Sequence, residues 1–289
     1  MQASLLTNLL LPLALGIIML GLGLGLTLDD FRRVARYPRA VLIGLALQTL
    51  VLPWAAFGLA LGFGLPAELA VGLMLLAASP GGATANIYSH LARGDVALNI
   101  TLTAINSLLC LLTLPVILNL SLEYFLGAGQ YVPPPTKKVI EVAAIILLPV
   151  AIGMVVRARA AGFAARTEKP IRLLSVLVLA LLVVAAVAQE WKTLTTYFAI
   201  VGLACLLFNL ASMGAGYAAP LALRLPKKQA IAIAMEIGIH NGTLAIFIAL
   251  NVLQNPTISV PAAVYSLLMF VTAAVFAWWV SRAGRDAAG

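Results

Sequence analysis

Charged residues are scarce in this sequence. Only 10% of its 289 residues are Asp, Glu, Lys or Arg, whereas 63% are hydrophobic and the mean hydropathy is +1.07. Soluble globular proteins carry about 25% charged residues. The shortage of charge therefore excludes a soluble fold and predicts an integral membrane protein.

Cysteine is also rare. Cys110 and Cys205 each lie inside an apolar run, so we expect two small core residues rather than a disulfide or a metal pair. The 18 Lys and Arg residues exceed the ten Asp and Glu residues and give a net charge of +8. Nearly all of them fall in short links between apolar runs, where they orient a chain in the bilayer. We therefore expect no nucleic-acid partner.

Apolar runs of about 20 residues, the length that crosses a bilayer, divide the chain. We predict an all-α protein of nine transmembrane helices, the first of them a retained span and not a signal peptide. The spans cover residues 4–26, 39–63, 67–92, 96–120, 138–157, 170–189, 194–222, 229–254 and 258–281. With the N-terminus outside and the C-terminus cytoplasmic, 15 of the 18 basic residues lie on the inner side. This asymmetry predicts that orientation in the inner (plasma) membrane of the cell.

The eighth span is interrupted by the stretch Met235–Leu244, which reads M-E-I-G-I-H-N-G-T-L. Ionisable side chains at membrane depth are rare and usually functional, and this stretch holds both Glu236 and His240. Gly238 and Gly242 flank the polar residues and weaken a continuous helix. We predict a broken helix, with one half ending near residue 237 and the next beginning near residue 240.

The third span has a similar interruption, S-P-G-G-A-T-A-N at residues 79–86. Two broken helices in two halves of one chain are typical of a transporter site. Counted from the breaks, the halves are residues 1–130 with spans 1–4 and residues 131–289 with spans 5–9. A link rich in Gly and Pro at residues 121–136 joins them. We predict an inverted repeat whose broken helices meet near mid-membrane, the first half lacking one span.

Oxygen atoms at the depth of Glu236 predict a site for a small cation. A half-helix that ends at a break exposes carbonyl groups, which favour cations. Ile237 and Ile239 supply such carbonyls beside the carboxylate. Further oxygens come from other spans, namely from Gln48, Asn86, Asn99 and Thr103. Taken singly, each of these four side chains is equally consistent with a hydrogen bond between helices.

The N-terminal ends of the two leaving half-helices predict the contact with an anion. Backbone N–H groups at residues 81–84 and 241–243 are expected to be free and to face each other, which suits a carboxylate. The residues expected to contact it are Gly82, Thr84, His240, Asn241, Gly242 and Thr243.

At these stretches the chain resembles the bile acid:sodium symporter family. The resemblance is carried by P-G-G-A-T-A-N at 80–86, L-A-R-G-D-V-A-L-N at 91–99, E-I-G-I-H-N at 236–241 and G-I-I-M-L-G-L-G-L at 16–24 before D-D-F. It implies sodium-coupled symport of an organic anion by alternating access, with bile acids, pantoate-like acids and 2-oxo acids as candidate substrates. It also implies a core domain of spans 2–4 and 7–9, a panel domain of spans 1, 5 and 6, and a substrate between them.

The resemblance implies two sodium sites as well. The first falls on Asn86, Asn99, Thr103, Glu236 and the backbone of Ala85, and the second on Gln48, Glu236, His240 and the carbonyls of Ile237 and Ile239. The chain departs from the family pattern at Ala85, where Ser is usual, and at His240, where Gln is usual. Because sodium prefers oxygen ligands, His240 is open to a different role, such as carrying a proton or meeting the substrate.

Three functional hypotheses remain open from the sequence. The first is a sodium-coupled symporter, and the alternative is an organic anion transporter coupled wholly or partly to protons through Glu236 and His240. The third is an intramembrane enzyme that uses the same two residues as acid and base, although no nucleophile or catalytic-metal spacing accompanies them. We expect a monomer with no cofactor, whose partners are an organic anion, sodium as the coupling ion and the lipid bilayer.

Overall fold

The computed structural model describes residues 11–82, 84–127, 136–189 and 191–282. Helices joined by short links make up this part of the chain, and it contains no strand. The helices are α1 (Leu11–Gly25), α2 (Leu28–Arg32), α3 (Pro38–Gly62), α4 (Ala67–Ala78), α5 (Ala85–Leu91), α6 (Val96–Leu126), α7 (Thr136–Arg159), α8 (Ala161–Gln189), α9 (Trp191–Ala222), α10 (Lys227–Gly238), α11 (Gly242–Val252) and α12 (Pro256–Arg282). The predicted all-α class is confirmed for the described residues.

Four of the described helices are, by length and composition, long and apolar enough to cross a membrane: α3, α6, most of α9, and α12. Three shorter apolar helices, the end of α1, α4 and α11, have about half that length. The protein is therefore a multi-pass membrane protein. The count of nine spans and the orientation of the termini stay predictions.

Several helices extend beyond the predicted spans. The sixth span was expected to begin at Pro170, but α8 begins at Ala161. The intervening residues are A-G-F-A-A-R-T-E-K. Ala, Arg, Glu and Lys all favour a helix, but the three charged residues interrupt the apolar run from which the span was predicted. Likewise α6 continues to Leu126, into the predicted link. The start of the first span, the Pro triplet of the link and Arg285 lie outside the described residues.

Two parts of the chain repeat the same order of local structures, and we call them the first unit (α3 to α6) and the second unit (α9 to α12). In each, a residue with positive φ, Gly64 or Arg224, lies two positions after the end of a long helix. Pro66 or Pro226 then caps a helix of 12 residues, α4 or α10. A break, a second helical piece and a long final helix follow.

Each unit also contains one π-helical segment, Leu47–Val51 within α3 and Ile248–Val252 within α11. A π-helical turn takes one residue more than an α-helical turn and is often found at functional sites. In α3 this segment includes Gln48 and Thr49. The sequence gives no periodic signal for either segment.

The remaining helices form a layer beside the two units. α1 packs against α7 and α8, and the close approach of α1 and α7 depends on Gly23 and Gly153, neither of which has room for a Cβ atom. Small residues allow such contacts between membrane helices. This layer touches the second unit through α1 on α11 and through α8 on α11 and α12.

Candidate functional site

The two breaks cross each other at an antiparallel bridge between Gly81 and His240. The N–H of Gly82 donates to the carbonyl of Ile239 at 2.7 Å, and the N–H of Asn241 donates to the carbonyl of Pro80 at 2.8 Å. Unwound backbone at membrane depth needs hydrogen-bond partners because lipid supplies none. Here each break supplies partners to the other.

This pairing corrects the expectation that the N–H groups at both breaks are free. The amides of Gly82 and Asn241 are used in the bridge, and the N–H of Gly242 donates to the carbonyl of His240 at 3.0 Å. The side chain of Asn241 accepts from the N–H of Leu244 and caps α11. The expectation was wrong for these three amides because backbone groups in lipid pair with each other before they meet a ligand.

A cavity of about 310 Å³ lies between the breaks and α1. The six residues predicted to contact an anion all line it: Gly82, Thr84, His240, Asn241, Gly242 and Thr243. The α1 wall is apolar and is formed by Ile18, Met19, Gly21, Leu22, Gly25 and Leu26. No Lys or Arg of the described residues lines the cavity, so its polar wall consists of amides, hydroxyls and imidazoles.

The cavity extends toward one end of the helices. It reaches Gly25 and Leu26 at the end of α1, Val96 at the start of α6, and the exposed His90 near the end of α5. These ends border the links that carry basic residues on the predicted inner side.

Glu236 lies beside the bridge and is completely buried. Its carboxylate accepts a hydrogen bond from the Thr103 hydroxyl at 2.6 Å and one from the Asn106 amide at 3.2 Å. It also packs directly on Gly81, where a Cβ atom would collide with it. A buried carboxylate with so few donors is costly, and a bound cation would offset that cost.

Thr103 of the first implied sodium site contacts this carboxylate, and Ala85, Asn86 and Asn99 of that site lie on α5 and α6. The amide nitrogen of Asn99 donates to the carbonyl of Ala232 at 2.7 Å, one turn before Glu236 on α10. The side-chain oxygens of Asn99 and Asn86 are buried and have no hydrogen-bond partner among the described residues. α5, which carries Ala85 and Asn86, packs against both α6 and α10. Unpaired oxygens are the ligands that sodium would need.

Two residues of the second implied site converge on the carbonyl of Ser79. The amide nitrogen of Gln48 lies 3.0 Å from it, and Nδ1 of His240 lies 3.1 Å from it. Because a carbonyl only accepts, Nδ1 carries the hydrogen in this contact, and Nε2 of a neutral ring is an acceptor. The ring stacks on Phe208 and meets the edge of Tyr265. Of the two backbone carbonyls in this site, that of Ile239 is already engaged by the bridge.

Two further residues at the second break were not predicted. Asn209 donates to the carbonyl of Gly238 at 2.8 Å, and the hydroxyl of Tyr265 donates to the same carbonyl at 2.9 Å. Both side chains are fully buried. They therefore fix the last carbonyl of α10. The sequence does contain a signal for Asn209, because it is the lone amide side chain within the apolar run 194–222.

The chemistry of the site favours a hard monovalent cation over a transition metal. In the described part of the chain there is no group of three or more His, Cys, Asp or Glu residues that could hold a metal. The site instead combines one carboxylate with amide, hydroxyl and carbonyl oxygens, which are the ligands of hard cations.

Comparison with known proteins now identifies the family. A profile of the sodium bile acid symporter family matches residues 12–197. The chain belongs to this family. It is 31% identical over 277 residues to the sodium-dependent transporter YocS of Bacillus subtilis (strain 168), a match that covers 95% of this chain and 84% of that protein.

Two other relatives differ in their named substrates. A chloroplastic protein of Oryza sativa subsp. japonica, named as the sodium/metabolite cotransporter BASS2, is 28% identical over 94% of this chain and 64% of its own length. The ileal sodium/bile acid cotransporter of Oryctolagus cuniculus is 28% identical over 53% of this chain and 44% of its own length. The family and these relatives are transporters and not enzymes, so the hypothesis of an intramembrane enzyme is dropped.

Proposed function

We propose that this protein is a secondary transporter that couples the entry of an organic anion to the inward movement of sodium. The observation that carries the proposal is the single carboxylate of Glu236, fully buried beside the crossing of two broken helices and next to the cavity. Family membership adds support, because several relatives are named as sodium-dependent transporters or cotransporters.

The cation half of the proposal rests on unpaired oxygens. Glu236, Thr103 and Asn99 form a connected set, and the oxygens of Asn99 and Asn86 have no partner within the described structure. A buried oxygen that loses water without gaining a donor costs about 1–3 kcal/mol. A sodium ion would satisfy several such atoms at once. We propose that Ala85 contributes through its backbone, as the family resemblance implies.

The anion half of the proposal rests on the lining of the cavity. One wall carries the polar residues of the breaks, including Thr84, Thr243 and Asn241, and the other is the apolar face of α1. An organic anion with an apolar body and a carboxylate would match these two walls. Since no described Lys or Arg lines the cavity, binding would depend on hydroxyls, amides and the charge of co-bound sodium.

The transport cycle would be a movement of the two units against the layer of α1, α7 and α8. This division corresponds to the predicted core and panel domains, in a nine-span inverted repeat. The matched order of structures in the two units supports the repeat, and the cavity between α1 and the breaks supports the division. With the N-terminus outside, in the plasma membrane, the cavity described above would open to the cytoplasm.

Coupling to protons remains a second candidate because of His240. Its Nε2 is buried without a hydrogen-bond partner among the described residues, and such an atom could take up a proton. However, Glu236 contacts α6 whereas His240 contacts Ser79 and two aromatic rings, so no direct hydrogen bond links the two. We therefore propose sodium as the principal coupling ion.

The proposal is tested by uptake into liposomes that contain the purified protein. A radiolabelled bile acid, pantoate and a 2-oxo acid are supplied in turn under an imposed sodium gradient, an imposed proton gradient, or neither. We expect accumulation of at least one anion to depend on the sodium gradient. Accumulation driven by the proton gradient alone would favour the second candidate, and equal uptake under all conditions would contradict coupled transport.

The substrate class can be narrowed by thermal unfolding. A ligand that binds the native state raises the unfolding temperature, and the rise grows with the ratio of the ligand concentration to its Kd. A panel of carboxylates, each measured with sodium chloride and with choline chloride, should contain compounds that stabilise the protein more strongly in sodium. Those compounds are then carried into the uptake assay.

A further inference from the structure

A second and much smaller chamber lies between α3, α4 and α6, beside Pro80 of the first break. Its volume is about 10 Å³, which is close to the space that one water molecule or one small ion needs. The polar side chains that line it are Gln48, Thr49, Asn106, Cys110 and Thr113. None of the described residues that line this chamber also lines the cavity at α1.

Most hydrogen atoms on the polar groups of these side chains are donated outside the chamber. Gln48 donates from its amide to the carbonyls of Ala77 at 3.1 Å and Ser79 at 3.0 Å, so both of its hydrogens are engaged. This pair of contacts also fixes which end of the amide is the oxygen. The amide of Asn106 donates to Glu236.

The two threonines are arranged in the same way. The hydroxyl of Thr49 donates to the carbonyl of Leu45 at 2.7 Å, and that of Thr113 donates to the carbonyl of Leu109 at 3.2 Å. Cys110 donates to the carbonyl of Ser107. The groups left to face the chamber are therefore almost entirely acceptors.

Two of these acceptors are buried and unpaired. Oε1 of Gln48 and Oδ1 of Asn106 have no partner in the described structure, and their residues are 4% and 2% exposed. A water molecule has only two hydrogens to give and needs a donor for its own oxygen. A cation is attracted by every acceptor and needs no donor. A chamber rich in oxygen and poor in hydrogen therefore suits a cation better than a water molecule.

We propose that this chamber binds one monovalent cation of the size of sodium, and that Gln48 gives its oxygen to this position rather than to the second site that the family resemblance implies. The ligands are the side-chain oxygens of Gln48 and Asn106 together with the hydroxyl oxygens of Thr49 and Thr113. The inference rests on the proposed function in one respect, since it takes sodium to be the coupling ion.

A cation at this position would act on the main site through Asn106. The oxygen of this amide would meet the ion while its nitrogen donates to Glu236, so the ion would polarise the hydrogen bond to the carboxylate. Along α6, Thr113 lies further from the cavity end at Val96 than Asn106 does. The chamber thus provides an ion position on the side of the carboxylate that faces away from the anion cavity.

The test compares two isosteric substitutions on the same helix. Thr113→Val removes a chamber oxygen, whereas Thr101→Val removes a hydroxyl that is buried, donates to the carbonyl four residues earlier and does not line the chamber. The measurement is the unfolding temperature of each purified protein over a titration with sodium chloride, with choline chloride at matched ionic strength. We expect Thr113→Val to require several-fold more sodium than the wild type for the same rise in unfolding temperature, and Thr101→Val to match the wild type. Thr49→Val probes the opposite wall and should behave like Thr113→Val.

The outcomes separate this inference from the proposed function. If the wild type responds to sodium and all three variants respond equally, the chamber holds no cation and the inference is overturned, although the proposed function stands. If Thr101→Val and Thr113→Val lose the same sodium affinity, the effect belongs to helix packing and the inference also fails. If the wild type itself shows no response to sodium, both the inference and the proposed function fail.

Discussion

The two breaks have the same backbone arrangement but different chemistry. The first break, S-P-G-G, contains no ionisable residue and leads into α5, a helix of seven residues of which Asn86, Ile87 and His90 line the cavity. The second break lies between Glu236 and α11, whose first nine residues are all buried. Both breaks therefore contact the cavity, and the second also brings an ionisable side chain beside their crossing.

The two units also share a device that holds the breaks in place. In the first unit the amide of Gln48 donates to the carbonyls of Ala77 and Ser79 at the end of α4. In the second unit the amide of Asn209 donates to the carbonyl of Gly238 at the end of α10. The spacing from Gln48 to Gly64 is one residue longer than that from Asn209 to Arg224, as expected from the π-helical segment within α3. Each break therefore has its own amide clamp.

The largest effect is expected from Glu236→Gln, which removes the ionisable group that distinguishes the second break. Glutamine keeps the shape and can still accept from Thr103, so we expect a folded protein whose sodium-dependent uptake falls to background. Uptake and the melting temperature in sodium are measured together. Glu123→Gln makes the same change at an exposed position on α6 and should leave both unchanged. Sodium-dependent uptake in Glu236→Gln would remove the basis for assigning the ion to the second break.

A smaller loss is expected from Gly81→Ala, which tests how the first break supports the second. The new methyl group would collide with the Glu236 carboxylate, the end of a flexible side chain that can move aside. We expect sodium affinity to fall about tenfold, equivalent to about 1.4 kcal/mol. Gly58→Ala is the control, because a Cβ atom there meets nothing within 4 Å. Unchanged sodium affinity in Gly81→Ala would show that the carboxylate does not need its observed position.

The two breaks themselves follow from the sequence, because Pro80 and the polar residues around Gly238 cannot continue an apolar helix in lipid. The structure ends α4 at Ala78 and α10 at Gly238. By contrast, the bridge between Gly81 and His240 joins residues that are distant in the chain. Local patterns carry no information on such a pairing, so the expectation of free N–H groups was wrong for Gly82 and Asn241.

The side chains that hold the site were predicted less completely than those that line it. Glu236, Asn99 and Thr103 were found because polar groups in apolar runs are conspicuous. Asn209 and Tyr265 were missed, although Asn209 gave the same kind of signal, because their role depends on the three-dimensional position of the Gly238 carbonyl. The start of α8 at Ala161 was missed because hydropathy measures lipid contact and not helix formation.

A moderate effect is expected from His240→Gln, which restores an oxygen donor to the second break. The glutamine amide can replace Nδ1 as donor to Ser79, and its oxygen becomes available to a cation. We expect sodium affinity to rise a few-fold. Sodium titrations of the two proteins measure the change, and identical sodium affinities would make His240 a bystander.

The smallest effect is expected from Thr84→Ala at the first break. Thr84 lines the cavity, so the loss of its hydroxyl should weaken anion binding by about threefold, the value of one exposed hydrogen bond, while sodium affinity stays unchanged. Gly242→Ala is a poor substitute for this test, because its Cβ atom would collide with Ser266 and disturb packing instead. A change in sodium affinity in Thr84→Ala would contradict a role of this hydroxyl in anion binding alone.

The central claim is that sodium at the second break and an anion in the cavity bind as coupled ligands. The most direct measurement is a sodium titration of the unfolding temperature in the absence and presence of a saturating anion from the carboxylate screen, for the wild type and for Glu236→Gln. Linkage requires that each ligand raise the affinity of the other by the same factor, and we predict a factor of about ten in the wild type and none in the variant. Sodium affinity that is independent of the anion in the wild type would contradict the account.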